Sequence, residues 1–167
     1  MVADAAAYPD GMGDVVTDLV IGAAAPDFTL PSTSGTRVSL AGLRGAPVAL
    51  VFFPFAFSGT CTGELCELRD NMADFQHAGV RLLGVSCDPP HAQAAFRQAE
   101  GYPFDLLSDF WPHGEVSRRY GVFDEDGGLA IRGSFLVDAD GILRWSVVHP
   151  RSQARPLAAY REALSAL

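Results

Sequence analysis

A chain of 167 residues with 49% hydrophobic side chains has the size of one domain and enough apolar mass for a core. Its net charge of -8, with no local run of Lys or Arg to offset it, repels phosphate backbones and anionic lipid headgroups. Nucleic acid and membrane are therefore not expected partners, and the longest apolar runs are strand-sized, too short to span a bilayer.

Residues 1–17 are rich in Ala, Gly and Asp without a period, which predicts a flexible N-terminal arm ahead of one domain over 18–167. The first twenty residues carry Asp4, Asp10, Asp14 and Asp18 and lack both a basic start and an unbroken apolar stretch, so a cytoplasmic protein is expected. Val48 to Phe53, bounded by Pro47 and Pro54, reads as a strand buried on both faces. From Cys61 to Phe75, the positions Cys61, Leu65, Leu68, Met72 and Phe75 share one helical face, and Gly79 ends the helix. Val80 to Cys87 is a second buried strand, parallel to the first through a right-handed crossover. A helix follows over Pro89 to Glu100. Ile131 to Val137 and Ile142 to Val148 are β-rich runs joined across Asp140-Gly141, a pair that favours a tight antiparallel reversal. Arg155 to Leu167 closes as a helix. A βαβ half followed by a ββα half predicts an α/β, thioredoxin-like fold with a mixed central sheet flanked by helices.

Cys61, Cys66 and Cys87 are too few for a disulfide scaffold, and an odd count in a reducing compartment favours thiol chemistry or burial. His77, His91, His113 and His149 are scattered, and no CxxC or HxxxH pattern forms, so no metal is expected. Cys61 sits where a central strand hands over to a helix, the place where reactive groups gather in α/β sheets. The free N–H groups and positive dipole end of that helix favour a thiolate, which is the nucleophilic form. Glu64 lies one turn along on nearly the same face. Its charge opposes a thiolate, so a cation is expected nearby; alternatively it is only a favourable first-turn acid. Arg132, at the start of a predicted strand, is the candidate cation, with Arg69, two turns beyond Cys61, as its rival. Ser58 is placed to cap the helix near its start.

The segment Pro54, Ser58 and Cys61 resembles the PxxxTxxC motif of the peroxiredoxins, with Ser for the commoner Thr. The likeness extends from Pro26-Asp27-Phe28-Thr29-Leu30 to Ser134-Phe135-Leu136-Val137-Asp138. Leu107 to Gly114 and Tyr120-Gly121-Val122-Phe123 look like the AhpE-type one-cysteine branch. The resemblance implies a peroxidase that reduces hydrogen peroxide and organic hydroperoxides through a Cys61 sulfenic acid, without a cofactor. Arg132, the Ser58 hydroxyl and the Cys61 N–H would steady the departing oxygen, and Pro54 would shield the sulfur. The reductant would be thioredoxin, or a mycoredoxin with a low-molecular-weight thiol, and the assembly a homodimer or larger homo-oligomer.

Cys66, five residues after Cys61, resembles the resolving position of the PrxQ branch. In an intact helix the two α-carbons would be separated by a rise of about 7.5 Å, outside the disulfide range, so a bridge requires unwinding. Cys87 is expected to pack in the core. Phe55, Phe57 and Trp111, on loops, are expected at the peroxide entrance or a dimer contact. Two other functions share such a fold: a thiol–disulfide oxidoreductase, which normally needs CxxC where this chain has Cys61-Thr62-Gly63-Glu64, and a redox-sensing binding module or holdase.

Overall fold

The computed structural model describes residues 17–167, so the arm expected over 1–17 lies almost wholly outside the described residues. In chain order the elements are β1 (Thr29–Pro31), β2 (Arg37–Ser39), a 3-10 turn at Ala41–Leu43, β3 (Val48–Phe52), α1 (Gly59–Asp70), α2 (Met72–His77), β4 (Arg81–Ser86), α3 (Pro90–Glu100), β5 (Asp105–Ser108), α4 (Glu115–Arg119), β6 (Phe123–Asp124), β7 (Leu129–Ala130), β8 (Arg132–Val137), β9 (Leu143–His149) and α5 (Leu157–Ser165).

Five strands form the central sheet in the order β5-β4-β3-β8-β9. β3 pairs parallel with β4 and antiparallel with β8, which makes the sheet mixed. β3 lies in the middle, and all five of its residues are buried. Alternate side chains of a strand face opposite sides, so this one apolar run feeds two cores. On one side Leu50 and Phe52 meet Phe135 of β8, Val116 and Tyr120 at α4, and Phe28, Leu30 and Val38 from the β1–β2 hairpin. On the other, Val51 and Phe53 meet Cys61, Leu65 and Leu68 of α1, Phe75 of α2, Phe96 of α3 and Tyr160 of α5. The β8–β9 reversal is the expected one: Gly141 takes φ +83 and the Asp138 side chain accepts the N–H groups of Asp140 and Ile142, both at 2.9 Å.

The helix expected over 61–75 is two helices. Asn71 leaves helical geometry at φ -119 and ψ 26, and its side-chain amide donates back to the Glu67 carbonyl at 2.8 Å. This competition with backbone bonding breaks the ladder. Arg161 of α5 secures the break, with Nε on Asp74 at 2.8 Å and Nη2 on Asn71 at 3.0 Å. The final helix begins at Leu157, not Arg155, because Pro156 occupies the N-cap and holds the residue before it extended. Among the described residues no helix is long and apolar enough to cross a membrane.

Candidate active site

β3 delivers the chain into a turn and then into α1. Phe53 still bonds to Val85 at 2.9 Å, Pro54 is buried, and the turn Phe55–Ser58 closes through the Ser58 N–H on the Phe55 carbonyl at 3.4 Å. Phe57, in the third position of that turn, has φ +66. Left-handed backbone at a bulky L-residue costs about 1–2 kcal/mol, so neighbours must hold it. Its ring lies 4.9 Å from that of Phe96. Ser58 is the N-cap residue of α1, and Thr62 N–H on the Ser58 carbonyl at 2.9 Å is the first helical bond. The Ser58 hydroxyl makes no capping bond. Cys61 therefore stands in the first turn, among N–H groups that the helix itself leaves unpaired.

The Cys61 side chain is fully buried, and the sulfur faces a charged cluster. Arg132 Nη2 donates to Sγ at 3.5 Å. Its Nη1 donates to Glu64 Oε2, and its Nε donates to the Arg151 carbonyl at 2.6 Å. Glu64 is held from its other side by Arg155, which donates from Nη2 to Oε2 at 2.9 Å and from Nε to Oε1 at 3.1 Å. The Arg155 backbone N–H adds a bond to Oε1 at 2.5 Å. Arg155 Nη1 in turn meets the carbonyls of Phe52 and Gly133, both at 2.8 Å, and the Ser134 hydroxyl at 2.9 Å. Burial disfavours the Glu64 carboxylate, yet the charge and hydrogen bonds of Arg155, with the charge of Arg132, outweigh it and hold the carboxyl below its ordinary value. Two guanidinia and one carboxylate leave a net positive charge beside the sulfur.

Sequence reasoning placed Cys61, Glu64 and Arg132 correctly together and missed Arg155, which it assigned to a helix. The signal was the Arg155-Pro156 pair, since a residue before proline avoids helical backbone and is free to turn inward. The rival Arg69 points elsewhere: Nε donates to Asp70 at 2.8 Å and Nη1 to the Glu100 carbonyl at 2.5 Å. Cys66 also faces away, with Sγ 3.5 Å from Glu100 Oε2 and 3.9 Å from the Tyr102 hydroxyl. Burial pushes its thiol up and Glu100 adds to this, against the pull of Tyr102 and Arg69. Cys87, in the core beside Ser117, is pushed up to about 12 by burial and the Asp109 charge. Among the described residues no group of three His, Cys, Asp or Glu could hold a metal ion.

A cysteine in the first turn of the helix after the central strand of such a sheet, with a guanidinium on its sulfur, points to a class: thioredoxin-fold enzymes whose chemistry runs on thiols. Comparison with known proteins narrows the class. The AhpC/TSA family model matches residues 21–146, and the chain belongs to this peroxiredoxin family. It is 46% identical over 150 residues to alkyl hydroperoxide reductase E of Mycobacterium tuberculosis, covering 89% of this chain and 98% of that one. With peroxiredoxin Bcp of Escherichia coli it shares 39% identity over 129 residues, 74% of this chain and 81% of the other. Among solved structures, Enterococcus faecalis AhpC superposes with a TM-score of 0.81 at 27% identity, over 87% of this chain and 90% of that chain. The fold is thus the peroxiredoxin form of the thioredoxin fold, and the protein is an oxidoreductase, a thiol-dependent peroxidase.

Proposed function

We propose that Cys61 is the peroxidatic nucleophile, reducing hydrogen peroxide and organic hydroperoxides to water or alcohol. The observation that carries this is the Arg132 guanidinium, 3.5 Å from the sulfur with its other arm fixed on Glu64. The thiolate attacks one peroxide oxygen, an S–O bond forms, the O–O bond breaks with its electron pair, and the departing oxide takes a proton from solvent. Negative charge passes from sulfur to that oxide. Arg132, the Ser58 hydroxyl and the first-turn N–H groups are the donors best placed to meet it, and Pro54 limits water at the sulfur. Glu64 acts on Arg132, orienting it, and is paired on both sides so that its own charge does not oppose the thiolate.

The sulfenic acid is then reduced by an external thiol, thioredoxin or a mycoredoxin working with a low-molecular-weight thiol. What supports this over an internal Cys61–Cys66 bridge is the direction of Cys66, toward Glu100 and Tyr102, and its raised thiol. The working assembly is a homodimer, a reading supported by the exposed loop aromatics Phe55, Phe57, Phe110 and Trp111, the last of them 79% exposed. The place of action is the cytoplasm, where thiols are kept reduced. The domain that carries these steps is 18–167.

One measurement tests the core of this. The reduced protein is treated with one equivalent of hydrogen peroxide and analysed by mass spectrometry. Sulfenic acid on Cys61, and loss of peroxide consumption in Cys61→Ser, are expected. Retained turnover in the variant would refute the nucleophile, and a Cys61–Cys66 disulfide would refute direct reduction of the sulfenic acid by the external thiol.

A further inference from the structure

The turn ahead of Cys61 is held from outside by one carboxylate. Asp88 follows β4, and its Oδ2 accepts the Ala56 N–H at 2.9 Å and the Ser86 hydroxyl at 2.6 Å. Ser86 is fixed by Gln93 of α3, whose Nε2 donates to the hydroxyl at 2.8 Å and also to the Leu107 carbonyl at 2.7 Å. The Asp88 carbonyl accepts the Ser108 hydroxyl at 2.6 Å. Ser86 and Gln93 are fully buried, so the carboxylate is anchored to β4, α3 and β5 at once.

Ala56 is the second position of the Phe55–Ser58 turn, and Phe57, the third, takes the φ of +66 that favours glycine. An aromatic residue does not hold that backbone unaided. Ser58 and the first turn of α1 nevertheless take their direction from it, and with them the hydroxyl and N–H groups around the sulfur. Few bonds fix the turn from outside itself, and the charge-assisted one from Ala56 to Asp88 is the strongest in kind.

We infer that Asp88 is a positioning residue for the peroxide step. By accepting the Ala56 N–H it holds the strained turn so that Ser58 and the α1 start surround the sulfur in reactive geometry. It acts through the backbone and not on the reacting atoms. The inference rests on Cys61 as the peroxidatic nucleophile.

The test compares two reagents on the reduced full chain. Oxidation by hydrogen peroxide needs the aligned donors, whereas alkylation by iodoacetamide needs only a reachable thiolate. Asp88→Ala is expected to slow Cys61 oxidation by about tenfold to a hundredfold while leaving its alkylation as fast or faster. Asp88→Asn keeps a carbonyl acceptor for Ala56 and is expected to restore oxidation to within about threefold of wild type. Should Asp88→Ala fail to fold, Ser86→Ala, which frees the carboxylate from its anchor, is expected to slow oxidation selectively in the same way. Equal oxidation rates in the folded variants, or an equal slowing of both reagents, would overturn the positioning role. If wild-type Cys61 is itself not oxidised, the nucleophile assignment falls instead.

Discussion

Glu64 carries more of the site than its place in a first helical turn suggests, because two buried guanidinia converge on it. Glu64→Gln leaves both without a full counter-charge, and breaking a buried pair in this way costs about 3–5 kcal/mol. A lowered thermal midpoint and slower peroxide consumption are the expected results of differential scanning fluorimetry and a peroxide assay. The folded carboxyl lies below its ordinary 4.5, so its contribution to stability is complete above pH 4.5 and is lost as pH falls through the lowered folded value. Acid titration of wild type followed by circular dichroism should show this loss, and Glu64→Gln should lack it. Cys87, pushed up to about 12, stays a neutral buried thiol near pH 7. Iodoacetamide with peptide mapping should therefore label it only after unfolding. At this scale Cys61, Glu64 and Arg132 were legible, since charge logic demanded a cation for an acid beside a thiol. Arg155 was not, because nothing local ties it to a carboxylate 91 positions earlier.

Among the elements, the strands with continuous apolar runs were readable, and β3, β4, β8 and β9 fall within a residue or two of their expected bounds. The break at Asn71 is hidden in the sequence because Leu68, Met72 and Phe75 keep helical spacing across it; the side-chain bond that makes it is invisible to periodicity. β1, β2, β6 and β7 have two or three residues each, too few to display an alternation. β5 is only slightly longer and depends on β4 for its form. The link between α4 and the β6–β7 hairpin offers a sharp check. Gly114 has φ +71, and a Cβ there would stand 2.1 Å from a ring carbon of Phe123. Gly114→Ala combines backbone strain with overpacking and should destabilise the fold by about 1–3 kcal/mol in urea unfolding.

For the whole molecule, connection rules did most of the work: a crossover makes β3 and β4 parallel, a tight reversal makes β8 and β9 antiparallel, and joining the halves yields the observed mixed sheet. Assembly follows no such rule, and the proposed homodimer is open to a direct check. Trp111→Asp places a charge at the most exposed of the loop aromatics and is expected to weaken self-association by about tenfold or more in sedimentation velocity. A further consequence concerns timing. Arg132 and Arg155 come 71 and 91 positions after the residues they partner, Cys61 and Glu64. While the polypeptide emerges from the ribosome, the cysteine is born long before either guanidinium can reach it, and the acid beside it has no counter-ion. Under the proposed mechanism the nascent thiol therefore lacks the donors of the peroxide step until the segment beyond β9 has docked.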